Sequence, residues 1–445
     1  MNIINQFLSI EKEILKFGSC NSLYKKISMI VLIDCNNFYV SCERIFNPGL
    51  KDKPVIVLSN NDGCVISRSE EAKRIGIQMG IPVFKIRDLI HKNKIFVFSS
   101  NFTLYSNISR RVMHILKTYS EKIEIYSIDE AFIELRLHKS SYKECKNILN
   151  VIEKFTGVPV SIGMAQTKTL AKIAVSLAKK RKDNIFIFNE YSNMLNLFKN
   201  IDIFDIWGIG KRYAKSFYKN GIYTVFHLIH LNESWILSNF NINVLKTYME
   251  LKGVVCYPIE TYKKPKKSIT VSRSFVNPIL SFDILEKYIN DFAFLCSYKM
   301  RLEKKRSQSM SVFIQTSFYH DNTYSGFTSE NFFQSTDNYI EIVKKSTLLL
   351  VKIFKKKFKY KKAGVILNEL NNFDSYQIPL FADKPQDKII SKESLMCSID
   401  YIISNFGYSK IKLASQNLGY NWRTNKKHIS PMYLSEWNEI LDVKI

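Results

Sequence analysis

Apolar segments of strand length alternate with amphipathic segments of helix length between residues 29 and 188. The strand-like runs include "MIVLIDC", which begins at Met29, and "VPVSIGMA". The helix-like runs include residues 107–120 and 167–181. An amphipathic helix must bury its apolar stripe against another element, so this alternation predicts a sheet that is covered by helices.

The pattern changes twice after this region. Residues 190–256 are helical in pattern, and strand-like runs return after the basic linker "YKKPKKS". These runs, "ITVSRSFV", "SMSVFIQTSF" and "KAGVILNEL", predict a second, smaller α+β domain. Asn, Asp, Ser and Pro dominate from residue 371, which indicates a loop or linker. A mixed, partly helical segment, 388–445, ends the chain, and residues 1–28 are expected to be an appendage.

Two carboxylates, Asp129 and Glu130, stand side by side in the apolar run "EKIEIYSIDEAFIEL", most of which alternates like a half-buried strand. Charge in apolar surroundings is costly unless a cation or hydrogen bonds compensate it. Asp34 ends another apolar strand, where its simplest role is to begin a turn. If the chain also turns at Asp129–Glu130, the three carboxylates can converge into an oxygen-rich site for divalent cations. Two Mg²⁺ ions in such a site suit phosphoryl or nucleotidyl transfer.

The net charge is +25, because 65 Lys and Arg residues stand against 40 Asp and Glu. A basic balance can serve solubility alone, but this excess is concentrated in separate patches. They are "KKRK" (179–182), "KKPKK" (263–267), "KMRLEKKR" (299–306) and "KIFKKKFKYKK" (352–362). Patches spread over half of the chain favour a polyanion that lies along several domains, with a membrane surface as the rival partner.

The cysteine pattern and the hydropathy indicate the compartment. The eight cysteines are scattered without a C-x-x-C pair, which argues against a zinc site or a disulfide framework and fits a reducing cytosol. No uncharged apolar run approaches the length of a membrane span. Charged residues directly follow the first short apolar stretch, unlike a signal peptide. We therefore expect a cytoplasmic protein that does not bind membranes.

Four ordered blocks resemble the signature motifs of the Y-family DNA polymerases. They are "IVLIDCNNFYVSCE", "KPVIVLSNNDGCVISRSEEAKRIGIQMGIP", "EIYSIDEAF" and "IGMAQTKTLAKIA". Within the family, "VLSNNDGCVISR", "FSSN" and "YSIDEAF" are most similar to the UmuC-type subunits, and the resemblance covers residues 29–440. It implies an α+β multidomain fold of the right-hand polymerase type. The expected parts are an N-terminal extension (1–28), a palm (29–38 and 104–188), small fingers (39–103), a helical thumb with a helix-hairpin-helix (189–258), an α+β little finger (268–370), a linker with a clamp-binding peptide (371–387) and a C-terminal UmuC-type segment (388–445).

The resemblance implies a role for each of the acidic residues. Asp34, Asp129 and Glu130 match the catalytic carboxylates that bind two Mg²⁺ ions, and the carbonyl of Cys35 matches a backbone ligand of the metal. Tyr39 matches the steric gate, an aromatic ring that excludes a ribose 2′-OH. From the residues alone, Tyr39 would instead be ordinary core packing beside Phe38.

The resemblance also implies which residues contact the nucleotide. The matching positions in this chain are Phe38, Tyr39, Arg68, Lys73 and Lys179. The chain departs from the family pattern at Glu70, where many members have a tyrosine three residues before the cation. A carboxylate cannot make the same contact with a phosphate. Lys73 also replaces the commoner arginine, and a lysine binds phosphate as a point charge rather than as a fork.

The stretch "WGIGKR" resembles a helix-hairpin-helix turn that contacts the DNA backbone. Gly208 and Gly210 would let backbone N–H groups approach a phosphate, and Lys211 would add a positive charge. A G-x-G by itself is usually only a tight turn. In the thumb, this turn is expected to bind duplex backbone without reading the sequence.

The segment "SYQIPLFADKP" (375–385) resembles the peptide by which bacterial polymerases bind the sliding clamp. Gln377 would supply hydrogen bonds, and Leu380 and Phe381 would be apolar anchors in a pocket of the clamp. Pro379 would hold the peptide extended. The alternative is a tail that folds back onto its own domain.

The sequence therefore predicts an error-prone, template-directed DNA polymerase for translesion synthesis in the SOS response to DNA damage. The resemblance implies primer–template DNA, dNTP and the sliding clamp as partners, with a processed UmuD dimer and a RecA filament. One alternative is a catalytically silent DNA-binding or scaffold protein on the same fold. Another is a two-metal cyclase with a related palm, against which the thumb-like hairpin and the basic C-terminal half argue.

Overall fold

The computed structural model describes residues 28–138, 140–188, 191–262, 264–317, 322–373, 386–407, 410–416 and 425–441. These residues form two compact units. The first unit joins Met1–Lys263 with Lys426–Ile445, and the second is Lys264–Asn425. The predicted N-terminal extension, apart from Ser28, and the predicted clamp-binding peptide lie outside the described residues.

The first unit contains eight described strands and eleven described α-helices. The strands are β1 (Ser28–Cys35), β2 (Val55–Leu58), β3 (Val65–Arg68), β4 (Phe96–Ser99), β5 (Ile123–Ile125), β6 (Glu130–Arg136), β7 (Val160–Ala165) and β8 (Ile185–Ile187). The helices are α1 (Phe38–Phe46), α2 (Glu70–Arg74), α3 (Arg87–Lys92), α4 (Phe102–Lys117), α5 (Ser141–Thr156), α6 (Lys168–Ala178), α7 (Tyr191–Phe198), α8 (Lys211–Lys219), α9 (Val225–Ile229), α10 (Glu233–Asn239) and α11 (Ile242–Leu251).

A five-stranded sheet in the order β5-β6-β1-β7-β8 is the centre of this unit. Strand β1 lies in the middle and pairs antiparallel with β6 and β7. Its odd-numbered residues pack in one core with α4 and α5, whereas Ile30 and Leu32 pack on the other face with α6. Burial on both faces explains why "MIVLIDC" is a continuous apolar run. Gly163 of β7 lets α6 approach, because a Cβ there would lie 2.4 Å from the backbone nitrogen of Val175.

A separate sheet in the order β3-β2-β4 follows α1 in the chain, with α2 and α3 beside it. The stretch "SRSEEAKRIGIQMG" predicts a short helix that stops at Gly80, and this extent is wrong. Helix α2 ends at Arg74, because Gly76, just after the C-cap Ile75, adopts a left-handed φ of 92°. Helix α4 begins at Phe102, five residues earlier than the predicted segment, because the Asn101 side chain accepts from the N–H of Leu104 and caps it.

The second unit is one four-stranded sheet with helices against it. Its elements are β9 (Ser268–Ile279), α12 (Phe282–Leu302), β10 (Lys305–Thr316), β11 (Ser325–Thr336), α13 (Tyr339–Ile353), β12 (Tyr360–Asn372) and α14 (Gln386–Phe406). The antiparallel sheet has the order β11-β10-β12-β9. The edge strand β11 was not predicted, because its sequence "SGFTSENFFQST" is mostly polar.

The structure divides the predicted C-terminal segment 388–445 between the two units. Met396, Ile399 and Ile403 of α14 join the core of the second unit, and Asp400 accepts two hydrogen bonds from Arg301 at 2.7 and 2.8 Å. Residues 426–441 belong to the first unit instead. Across the described residues, no helix is both long and apolar enough to cross a membrane.

Candidate active site

Asp34 and Glu130 lie directly opposite each other on neighbouring strands. Asp34 is near the end of β1, Glu130 begins β6, and the two are paired in the antiparallel ladder. Directly opposed residues place their side chains on the same face within about 5.5 Å between Cβ atoms. Two like charges in this arrangement repel each other, so the pair requires cationic compensation.

Asp129 and Glu130 differ in their backbone environment because the acidic run is a hairpin rather than one strand. Strands β5 and β6 pair antiparallel, and the turn between them contains Ser127 and Asp129. The Ser127 hydroxyl donates to Asp129 Oδ1 at 2.5 Å and accepts from the N–H of Glu130 at 3.0 Å. A turn immediately before Glu130 is what the adjacent carboxylates predicted, although its first strand is only three residues long.

Two lysines form ion pairs with the opposed carboxylates: Lys172 lies in α6, and Lys179 is its C-cap. Lys179 Nζ lies 2.7 Å from Asp34 Oδ1, and Lys172 Nζ lies 3.0 Å from Glu130 Oε2. Burial raises the pKa of Asp34 to about 6 against the pull of Lys179, and the charges of Glu130 and Asp129 raise it further. Each acidic group of the pair therefore has its own cation, and Asp34 remains electrostatically unfavourable as a carboxylate.

Lys172 is a site residue that the sequence reasoning missed. Its ammonium group lies 4.5 Å from the ring centre of Tyr126 and 5.7 Å from those of Phe132 and Trp207. The Trp207 indole N–H donates to the Tyr126 hydroxyl at 3.0 Å and so fixes two of these rings. The signal was present, because the spacing of Lys168, Lys172 and Lys179 places all three on one side of a helix.

The donor chemistry of the site fits Mg²⁺. In the described part of the chain, no three His, Cys, Asp or Glu side chains are arranged to hold a metal. The predicted convergence is therefore partial, because Asp129 is bound by Ser127 while Asp34 and Glu130 bind lysines. Carboxylate oxygens are nevertheless the ligands that Mg²⁺ prefers, and a cation would relieve the repulsion that acts on Asp34. The Cys35 N–H donates to the Asp129 carbonyl at 2.9 Å, and a metal contact of the Cys35 carbonyl stays a prediction.

Tyr39 lies in the first turn of α1, close to these acids. Its ring is half-buried and stacks on Tyr105, with 4.5 Å between ring centres. Burial raises the pKa of Tyr39, and the charge of Asp129 adds to the effect, which places the two side chains in the same electrostatic environment. Phe38 differs, because its ring is only 3 % exposed and packs in the core. A nucleotide contact of Phe38 remains a prediction.

The cations predicted to contact phosphate are partly engaged within the protein. Lys73 Nζ lies 2.5 Å from Glu70 Oε1, and that oxygen also accepts from the Asn37 side chain at 3.1 Å. Burial alone would raise the pKa of Glu70, but the hydrogen bonds from Lys73 and Asn37 hold it below its usual value. Arg68 ends β3 and donates to the carbonyl of Ile77. Glu70 therefore binds Lys73, one of the cations that are predicted to contact the phosphates of the nucleotide.

The predicted hairpin turn lies at the exposed beginning of α8. Gly208 has a left-handed φ of 91°, and a Cβ there would lie 2.8 Å from the Thr247 hydroxyl. Gly210 is the N-cap of α8, has open space around it and is followed by the exposed Lys211. The element before the turn is a short 3₁₀ helix, Ile203–Asp205, rather than an α-helix. Free N–H groups beside Lys211 are suited to an anion.

Three family models match separate parts of the chain. Residues 33–176 match the impB/mucB/samB family, and residues 266–380 match the C-terminal domain of that family. The third match covers residues 393–443 and is a domain of unknown function. The first match contains every predicted metal ligand, and the second contains the sheet of the second unit.

Similar proteins extend the match over nearly the whole chain. Protein UmuC of Salmonella typhimurium is 33% identical over 94% of this chain and 100% of its own length. Protein SamB of the same organism is 32% identical over 94% of this chain and 100% of its own length. DNA polymerase IV of Picrophilus torridus is 34% identical over 50% of this chain and 62% of its own length.

A solved Y-family DNA polymerase chimera of Dbh and Dpo4 shares the fold. Its TM-score is 0.62 at 20% identity, over 77% of this chain and 99% of the chimera. This likeness confirms the predicted α+β, right-hand polymerase fold. Together with the full-length match to Protein UmuC, it identifies the chain as a member of the impB/mucB/samB family, the UmuC-type branch of the Y-family DNA polymerases.

Proposed function

We propose that this protein is an error-prone translesion DNA polymerase of the SOS response, which transfers nucleotides from dNTP to a primer 3′-OH with two Mg²⁺ ions. The observation that carries the proposal is the opposed pair Asp34 and Glu130 at the ends of two central strands, with Asp129 adjacent. A scaffold protein would have no need to place two carboxylates directly opposite each other with one of them, Asp34, buried.

Asp34, Asp129 and Glu130 would hold the two ions, with the Cys35 carbonyl as a backbone ligand. When bound, Mg²⁺ lowers the pKa of the attacking hydroxyl and balances the charge of the triphosphate and of the leaving pyrophosphate. The protein side of the reaction is positioning. Strands β1 and β6 fix Asp34 and Glu130 by their ladder, and Ser127 orients Asp129 through its hydroxyl.

Lysines near the acids would act on the triphosphate. Lys179 and Lys172 now neutralise the carboxylates, and their side chains are 42% and 16% exposed. We propose that Lys179 contacts phosphate oxygens, together with Lys73 and Arg68, once the carboxylates have another cation. Lys172 is more enclosed by aromatic rings, so its role is to compensate Glu130. Tyr39, beside Asp129, would exclude the 2′-OH of a ribonucleotide.

The DNA contacts would be made to backbone phosphates rather than to bases. Positive charge for these contacts comes from the exposed N-terminus of α8 with Lys211 and from the basic patches of the second unit. Such cations bind phosphates and do not distinguish one base from another. The UmuC-type resemblance also implies a processed UmuD dimer, a RecA filament and, through Gln377, Leu380 and Phe381, the sliding clamp. We propose these as partners of a cytoplasmic enzyme.

The test is primer extension across an abasic template site, with and without these partners. Asp129→Ala and Glu130→Ala should each abolish extension and leave primer–template affinity nearly unchanged, because affinity comes mainly from Lys and Arg. Glu121→Ala is the matched control, since Glu121 is exposed in the same segment. Extension near the wild-type rate by either variant would remove the metal assignment. DNA binding without any extension by the wild-type protein would favour the scaffold alternative.

A further inference from the structure

Residues 426–434 form a segment, here called the C-terminal strap, that packs along the first unit. It lies within the match to a domain of unknown function. The His428 N–H donates to the Ser99 hydroxyl at 3.0 Å, the Ser99 N–H donates to the His428 carbonyl at 2.8 Å, and Ile429 forms a parallel bridge with Ser99. Lys426 donates to the carbonyl of Ser100 at 2.8 Å. The strap is therefore bonded to the end of β4 and the start of α4.

Ser430 is the point where the strap enters the interior. It is 4% exposed, and its hydroxyl donates to Glu43 Oε1 at 3.1 Å. The Asn101 side chain, which caps α4, donates to the Ser430 hydroxyl at 3.1 Å. Three residues further, the ring of Tyr433 stacks on Phe46 of α1 with 4.7 Å between ring centres. The strap thus holds α1 and α4 at once.

Glu43 connects the strap to the tyrosine that stacks on Tyr39. Glu43 is 2% exposed, and its Oε1 accepts from both Ser430 and the Tyr105 hydroxyl, the latter at 2.6 Å. Tyr105 is fully buried, and its ring lies against Tyr39 with 19° between the ring planes. A continuous path of contacts therefore runs from Ser430 through Glu43 and Tyr105 to Tyr39.

We propose that the C-terminal strap is a specificity element, in which Ser430 and Glu43 are positioning residues that hold Tyr105 against the sugar-checking ring of Tyr39. The proposal rests on the proposed function of Tyr39 as a steric gate. It assigns a task to part of the matched domain of unknown function: the strap sets how strictly ribonucleotides are refused.

The physical reason is the rigidity that the gate requires. A ring excludes a 2′-OH only if it cannot move aside, and Tyr39 is only half-buried, so the neighbouring rings limit its movement. Phe38 and Phe102 meet it at 5.8 and 6.0 Å between ring centres, and Tyr105 stacks on it at 4.5 Å. Tyr105 is itself fixed by its hydrogen bond to the buried Glu43 carboxylate, and the Ser430 hydroxyl is another donor that holds this carboxylate in place. Loss of the Ser430 hydroxyl should therefore loosen the stack without altering the acids that face the metal.

The experiment measures the ratio of ribonucleotide to deoxyribonucleotide incorporation in the full-length protein. Ser430→Ala and Tyr105→Phe should each raise this ratio by about five-fold, the factor that corresponds to one hydrogen bond of about 1 kcal/mol. Tyr39→Ala is the reference and should raise it more. Ser435→Ala is the matched control, because Ser435 is exposed on the segment just after the strap, and it should leave the ratio unchanged.

A second readout does not depend on activity. Amide hydrogen exchange in α1 should be about five-fold faster in Ser430→Ala than in Ser435→Ala, because the local opening free energy falls by the same amount. A purely structural role would slow incorporation of both sugars equally and leave their ratio at the wild-type value.

The outcomes separate this inference from the proposed function. If Tyr39→Ala raises the ratio and neither Ser430→Ala nor Tyr105→Phe does, the strap inference is wrong and the gate stands. If Tyr39→Ala leaves the ratio unchanged, the gate assignment and the inference fall together. A wild-type protein that extends no primer refutes the proposed function. If amide hydrogen exchange in α1 is then equally fast in Ser430→Ala and Ser435→Ala, the strap does not stabilise α1 and the inference is refuted as well.

Discussion

Glu250 at the end of α11 offers a sharp test of how this structure is held together. Its carboxylate is fully buried and accepts four hydrogen bonds. Oε2 accepts from the N–H and hydroxyl of Thr169 at 2.9 and 2.8 Å, and Oε1 accepts from the N–H groups of Cys256 and Tyr257 at 3.1 and 2.9 Å. One side chain thereby joins the beginning of α6 to the segment after α11.

The expected cost of Glu250→Ala follows from the donors that it leaves behind. Three backbone N–H groups lose their acceptor, and each unsatisfied buried donor costs about 1–3 kcal/mol. Cys256 and Tyr257 are only partly buried, so water can replace some of the loss. We therefore expect the lower half of the range, about 3–5 kcal/mol, which corresponds to a fall in melting temperature of roughly 10 °C.

The assay is thermal unfolding of the full-length protein, with Glu233→Ala as the control because Glu233 is exposed on the neighbouring α10. Glu250→Gln should cost less than Glu250→Ala, since the amide keeps one acceptor oxygen for two of the donors. A loss below about 1 kcal/mol for Glu250→Ala would show that water satisfies these donors and that the bridge is dispensable.

Two further predictions concern Glu43 and the clamp. Burial raises the pKa of Glu43, so the folded state holds this proton more tightly than the unfolded state, and the resulting stability is lost as the pH rises from its ordinary value through the raised one. In unfolding experiments from pH 4 to 8, Glu43→Gln should therefore gain stability relative to wild type as the pH rises, and a constant difference would contradict the assignment. The facing groups keep their protons in this range because burial raises their pKa values; they are Cys42, Tyr105 and Tyr433. The Leu380→Ala, Phe381→Ala double variant should bind purified clamp more weakly by a factor of roughly hundreds, since burying each anchor contributes roughly 1.5–3 kcal/mol. Asp383→Ala serves as the control, and equal clamp affinity for all three proteins would favour the folded-back tail.

Strong local patterns made much of the first unit predictable. The run "MIVLIDC" predicts a strand, and it forms β1. The carboxylate at its end, taken together with the acidic pair Asp129–Glu130, indicates a cation site. The glycine after "YKECKNILNVIEKFT" predicts a helix end, and Gly157 ends α5 with a left-handed φ of 70°. In these places periodicity, capping and burial all favour the same structure, so a short stretch of sequence is enough to predict the local fold.

Contacts between distant parts of the chain could not be predicted in this way. Ser430 and Glu43 are separated by 387 positions, and nothing in either segment indicates the other. The pairing of Lys172 with Glu130 depends on the exact rotation of α6 over the sheet. Strand β11 could not be predicted because an edge strand needs few apolar residues, and its polar sequence resembles a loop.

The return of the strap to the first unit has a consequence for how the protein is made. Glu43 and Asn101 are synthesised early, but Ser430 emerges only after the whole segment 264–425 has been translated. At about 5–20 residues per second, that interval is on the order of ten to thirty seconds. During it, the Glu43 carboxylate has the Tyr105 hydroxyl as a donor but lacks Ser430, and the Asn101 side-chain amide lacks Ser430 as its acceptor. The contacts that join the strap to the helix that bears Tyr39 can therefore form only after residue 430 has been synthesised.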